Sequence, residues 1–360
     1  MGESRDNYIL LIIYMFKIME QKNYNSIDLF KFVMAICVVA IHTNPMDKCT
    51  IKLVNDIYTT FVGMAVPFFF IATGFLLANK MEYPFWGTQN KTIMKNYLFR
   101  IIKLYLLWTV LYMPLAAWHF VSTGTPLIRA ILQYIRGFIL LGEQYNSWPL
   151  WYLLSTIYTL MLLILLLKHK KSLKTILAVG GVVFLFRIGL VYIVEYDGVF
   201  TPVVFAQKIL NLTIMKGAVF TGMFYIPVGM ALSRKKMPDW ASWAVMICSF
   251  AINIAIEESG ISSILTAMTV IALFIFVKGV NLKDSFVYFI LRKMSSVIYF
   301  VHMYAWSIYY KLIYGEKTYG FDCFVATLFI SILIALIYVV FIRKNRFLKS
   351  CRLMGCMRKL

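Results

Sequence analysis

Ten stretches of roughly 17–25 predominantly apolar residues follow one another along the chain, at 27–44, 60–79, 100–120, 148–167, 174–194, 214–232, 240–256, 260–277, 295–313 and 321–342. That length matches the hydrocarbon thickness a spanning helix must cover, about 30 Å. No water is present at that depth to satisfy backbone N–H and C=O groups, so each crossing segment must bond to itself as a helix. The fold expected is therefore all-α, a polytopic integral membrane bundle of about ten transmembrane helices. Composition agrees, with 61% hydrophobic and only 14% charged residues, against about 25% charged in soluble domains.

The net charge of +20 would suggest a nucleic-acid partner in a soluble protein. Here the charge alternates with the spans instead, so no nucleic acid is expected. With both termini cytoplasmic, the inner segments hold 27 Lys and Arg residues and the outer loops only six. Basic residues gather on the cytoplasmic side of membrane proteins, which gives a multi-pass protein of the cell (cytoplasmic) membrane surrounded by lipid. The oligomeric state is not legible.

Three regions are expected. Residues 1–23 form an N-terminal extension whose apolar stretch, Tyr8–Ile18, is too short to cross and carries Lys17, so it reads as interfacial or signal-like. Residues 24–342 form the membrane domain, and 343–360 a basic cytoplasmic tail. Within the domain, 80–99 reads as an inner, partly amphipathic stretch. The outer segment 121–147 contains LIRAILQYIRGFILL, whose helical apolar spacing suits a helix lying at the interface. The six cysteines have no CxxC or CxxH spacing and are read as unpaired thiols, with no metal site.

The first span, FVMAICVVAIH, is preceded by Asp28 and Lys31 and ends on His42. His42 lies eleven residues after Lys31, a rise of roughly 16 Å that leaves them about 20° apart around the axis, with Asp28 about 40° from His42. All three share one helix face. Ionisable groups inside a membrane are costly unless they face protein or a watery cavity, and there they mark function.

These residues carry a resemblance. Lys31-x10-His42 resembles the Arg-x10-His of the acyltransferase-3 superfamily of bacterial membrane O-acyltransferases. VPFFFIATGFLL is similar to that family's second-span motif, with Thr73-Gly74-Phe75 where the family has Ser-Gly-Phe. FRIIKLY, with Arg100 and Lys103, resembles its basic inner motif; WPLWYLLSTIY and SSVIYFVHMY, ending near His302, resemble its fourth-span and late-span motifs. Lys31 keeps the charge of the family's arginine but lacks the planar fork. The style of the sequence also resembles the membrane domain of vancomycin-resistance serine racemases, which implies an alternative: a transporter-like module for a serine-like amino acid or an envelope precursor.

The main resemblance implies acyl transfer from acyl-CoA, a co-substrate with no resident cofactor, to a hydroxyl of an extracytoplasmic glycan or cell-wall polymer. Such a reaction needs a base near the acceptor proton, commonly histidine, and a cation near the developing oxyanion. His42 and Lys31 are the catalytic candidates; Asp28, Thr73, Gly74, Arg100, Lys103, Trp151 and His302 are the substrate-binding candidates. Basic residues such as Arg100 and Lys103 suit the phosphates of a thioester donor. His302 could equally be a packing residue, and Trp148, Trp151 and Tyr152 an interfacial belt rather than a sugar site. Arg187, deep in an apolar run, is expected to pair with Glu195 or Asp197. The glycines are expected to permit close helix contact.

Overall fold

The computed structural model describes residues 24–234, 239–256 and 259–357. Among them are thirteen α-helices and no strand: α1 (Asn25–Thr43), α2 (Lys52–Gly63), α3 (Ala65–Ala78), α4 (Thr88–Ser122), α5 (Leu127–Arg136), α6 (Leu150–Lys168), α7 (Leu173–Val194), α8 (Thr201–Leu212), α9 (Gly222–Leu232), α10 (Asp239–Ala255), α11 (Ser259–Gly279), α12 (Phe286–Ile313) and α13 (Phe321–Met357). The N-terminal extension lies outside the described residues, as do Lys235, Lys236, Glu257 and Glu258 of the charge pattern and the last three residues of the tail. The backbone from 343 to 357 continues α13 without a break.

Among the described residues, eight helical segments are long and apolar enough to cross a membrane: α1, α2 with α3, α4, α6, α7, α11, α12 and Phe321–Phe341 of α13. The two remaining expected spans form shorter apolar helices, Ala218–Leu232 and Trp240–Ala255. The chain is a polytopic helical membrane bundle.

Three helices start well upstream of their apolar runs. The second span starts at Lys52 and breaks at Met64 between α2 and α3. Pro67 has no N–H for the carbonyl of Gly63 and its ring collides there, so the helix is interrupted four residues upstream. The third begins at Thr88, and its 35 residues span roughly 52 Å, which takes most of the 80–99 stretch into a helix that overshoots the bilayer. The ninth begins at Phe286, capped by Ser285, whose hydroxyl accepts from the Val287 N–H at 3.3 Å; Arg292 and Lys293 therefore lie inside a helix and not in a loop.

The interface helix expected within 121–147 is α5. Leu127, Ile128, Ile131, Leu132 and Ile135 are exposed along it. Arg136 anchors its end by donating to the carbonyls of Asn211 (2.7 Å) and Thr213 (3.1 Å).

At the centre stands α3, packed against α9, α1 and α11, with Phe68, Phe70 and Ile71 fully buried. A Cβ on Gly74 would overlap the Ile226 carbonyl, and one on Gly229 the Ile71 carbonyl. This reciprocal pair lets the α3 and α9 backbones approach closely. α12 packs on α1 and α13, which sets the late-span motif beside the first span. The end of the bundle at which α1 begins is here termed the basic end, and the opposite end, where α1 stops at the left-handed Asn44 (φ 41°), the histidine end.

Candidate active site

A cavity of about 600 Å³ opens at the basic end. Asp28 and Lys31 of α1, Thr73 of α3, Arg100 of α4 and Arg292 of α12 line it, with Lys80 at its rim. Among the described residues that line it, Asp28 is the only acid. Its carboxylate is nearly buried and lies 3.3 Å from the half-exposed Arg292 guanidinium. Lys31 makes no ion pair among the described residues; the charges acting on it are Asp28, Arg292, Arg100 and Lys293. The cavity therefore carries a surplus of positive charge in a low-dielectric setting, where an anion would be held strongly.

Aromatic residues form its deep wall. Thr73 and Tyr152 hydroxyls share a 2.7 Å hydrogen bond, and the Arg100 guanidinium lies 4.9 Å from the Tyr97 ring centre. The Tyr299 ring lies 5.7 Å from Phe69 and 5.8 Å from Tyr152, while its hydroxyl donates to the Pro149 carbonyl at 3.0 Å. All three rings line the cavity, and neither His42 nor His302 is among its lining residues.

Beyond that layer lies a second constellation. His302, fully buried, has its ring 6.5 Å from Tyr299. His42, in the last turn of α1, stacks between His302 (5.3 Å, 23°) and Trp148 (5.2 Å, 28°). The His302 Nδ1 is 3.0 Å from the Ile298 carbonyl. A carbonyl can only accept, so Nδ1 carries the proton and Nε2 keeps its lone pair. That Nε2 is buried with no hydrogen-bond partner among the described residues.

Over Trp148 sits Lys317, from the 314–320 connection between α12 and α13. Its ammonium is 4.0 Å from the Trp148 ring centre and 5.0 Å from that of Trp306, and donates to Asn146 Oδ1 at 3.5 Å. Asn146 is held in turn by bonds from Nδ2 to Ser307 (2.9 Å) and Tyr310 (2.8 Å). The connection is pinned by Trp306 Nε1 donating to Thr318 O (3.0 Å) and by Gly320 N donating to Thr43 O (2.9 Å). Partial burial pushes the Lys317 ammonium down to about 8.

The residues singled out from sequence thus fall into two groups. Asp28, Lys31, Thr73 and Arg100 meet at the basic cavity; His42 and His302 meet at the histidine end, with the aromatic layer between. Lys31 and His42 share a helix face but not a chamber, because the helix rise separates them. Three candidates lie elsewhere. Lys103 is exposed and off the cavity, Trp151 packs on Phe70 at 5.8 Å, and Gly74 serves the α3–α9 crossing. Nor does Arg187 meet its expected partner: Glu195 pairs with Lys216 at 2.6 Å. The Arg187 Nε is buried without a partner among the described residues.

Sequence reasoning missed Arg292, Tyr97, Tyr299 and Lys317. Arg292 had a signal: it precedes Tyr299 by seven residues, two turns along one face. Lys317 had none, since only the folded connection brings it to Trp148.

Two curated proteins of Enterococcus faecalis, each named amino-acid racemase, are similar to part of the chain. One is 37% identical over 145 residues, covering 40% of this chain and 20% of that protein. The other is 28% identical over 150 residues, covering 39% and 20% respectively. The chain thus spans about a fifth of the length of each. No solved structure matches it significantly. The model of the acyltransferase-3 family, described as an acyltransferase domain, matches residues 24–342, and with nearly the whole membrane bundle inside that match the chain belongs to this family.

Proposed function

We propose that the protein is a membrane O-acyltransferase that takes an acyl group from acyl-CoA on the cytoplasmic side, at the basic end, and delivers it to a hydroxyl of an extracytoplasmic glycan or cell-wall polymer at the histidine end. The observation that carries this reading is the basic cavity: Lys31, Lys80, Arg100 and Arg292 face one acid, Asp28. Such a surplus fits the phosphates of a nucleotide-borne thioester.

In the reaction, His42 takes the proton of the acceptor hydroxyl while the oxygen attacks the thioester carbonyl. The tetrahedral intermediate collapses, the C–S bond breaks, and the imidazolium returns its proton to the departing thiolate. Donation by the His302 Nδ1 to Ile298 fixes the tautomer and orientation of the ring on which His42 stacks. Lys31 and Arg100 hold donor phosphates. The thioester must pass Phe69, Tyr152 and Tyr299, so one of these rings turns aside when the donor binds.

The test is release of CoA from labelled acyl-CoA by purified protein in nanodiscs. Wild type is expected to release CoA and acylate an added wall polymer, and His42→Ala to do neither while still binding the donor. Uptake of a labelled amino acid by protein-containing vesicles, with no CoA release, would replace this reading by transport.

A further inference from the structure

At the histidine end, outside the basic cavity, a second cation lacks a counter-charge. Among the described residues no carboxylate lies within ion-pair distance of Lys317. Asp322 accepts from Tyr314 (2.5 Å) and Tyr309 (3.2 Å), and Asp47 from the Asn44 amide (3.2 Å); Glu316, next in the chain, makes no ion pair with Lys317 among the described residues. Among the described residues Lys317 has only neutral partners, namely the Asn146 oxygen and the faces of Trp148, Trp306, Tyr145 and Tyr319 at 4.0–5.9 Å. Ring faces attract a cation but do not neutralise it, and a partly desolvated charge gains most from an opposite one.

The placement is built, not accidental. Asn146, fully buried with φ 53°, is locked by Ser307 and Tyr310, and the backbone that follows Lys317 is tied at Thr318 and Gly320. The ring under the ammonium, Trp148, is the ring on which His42 stacks. An anion on Lys317 would thus set a hydroxyl carried by the same molecule beside His42.

We propose that Lys317 is an anion-binding residue of the acceptor site, and that the acceptor carries a carboxylate or a phosphate next to the hydroxyl that is acylated. This deepens the acyltransferase reading and rests on it for the word acceptor; the anion site itself does not depend on it. The aromatic walls suit a sugar face or an aliphatic backbone bearing the anion.

Two measurements test this. First, purified protein in nanodiscs is treated with an amine-reactive reagent at pH 8, and modification of Lys317 is followed by mass spectrometry. Lactate and glycerol phosphate serve as carboxylate and phosphate probes, with glycerol as the neutral control. Slowing of labelling at Lys317 by several-fold with either anion, but not with glycerol or at Lys311, is expected, and the more effective probe identifies the group. Equal labelling in all three would overturn the anion site. Second, for an acceptor that the wild type acylates, Lys317→Gln should raise KM at least tenfold with a smaller change in kcat, and Lys317→Arg should recover part of it. Retained acyl-CoA binding serves as the folding check. Unchanged KM alongside clear anion protection would remove Lys317 from acceptor binding. Absence of any CoA release in wild type with anion protection intact would sink the acyltransferase reading and leave the anion site.

Discussion

The imidazole of His42 stacks on that of His302 at 5.3 Å, and the two come from opposite ends of the sequence, on α1 and α12. Because Nδ1 of His302 donates to Ile298, that ring is fixed in tautomer and orientation beside His42, and in the proposed reaction it is His42 that exchanges a proton with substrate. Losing a general base typically costs 10²–10⁴ in rate. His42→Ala should therefore fall by about that factor in CoA release, whereas His302→Asn, which retains a donor for the carbonyl, should fall less. Equal losses would assign the base role to the pair rather than to His42.

The Asp28–Arg292 pair gives a stability prediction. Asp28 is nearly buried and Arg292 is not, so removing the arginine strands the more desolvated charge. Breaking such a pair from one side is costly, about 3–5 kcal/mol when fully buried and less here because Arg292 stays wet. Arg292→Gln should lower the thermal midpoint in detergent more than Asp28→Asn does. The double variant should be closer to Asp28→Asn than additivity predicts. A strictly additive double variant would mean that the two side chains do not interact.

Gly74 belongs to a motif that resembles a substrate motif, yet it sits where α3 crosses α9. Gly74→Ala should cost about 1–3 kcal/mol by overpacking and lower expression of folded protein. Thr73→Ser, which preserves the hydroxyl bonded to Tyr152, should be tolerated. Normal stability of Gly74→Ala with lost turnover would return the glycine to the site.

Lys317 titrates in an accessible range. Its folded value of about 8 lies below the ordinary 10.5, so the folded state disfavours the ammonium. Between those two values the unfolded chain binds more protons, and stability rises with pH. The penalty is full below about pH 8 and is relieved as pH climbs toward 10.5. The stability of wild type relative to Lys317→Gln should accordingly improve over that window; a flat difference would mean that the ammonium is not desolvated. An anion bound at Lys317 should shift the window upward.

Much of the fold was legible because a bilayer leaves the backbone few options. The ten apolar runs appear in order as helices, and the amphipathic 127–136 segment was recognisable from its spacing. What was hidden had local causes. Pro67 cuts the second span, and a polar prelude at 286–294 masked the start of α12, hence Arg292. Helix phase put Lys31 and His42 on one face, but phase does not report the rings of Phe69, Tyr152 and Tyr299 that part them. Lys317 sits in a connection with no periodicity, so only tertiary closure reveals its position.

The central claim is that a donor held by basic residues at one end reaches a histidine at the other through the aromatic layer. The most direct measurement is a structure with a non-hydrolysable acyl-CoA thioether analogue bound. The phosphates should lie against Lys31, Arg100 and Arg292, with Tyr299 or Phe69 turned aside and the thioether next to His42. An analogue seated wholly outside the cavity, with the three rings still closed and His42 untouched, would contradict the account.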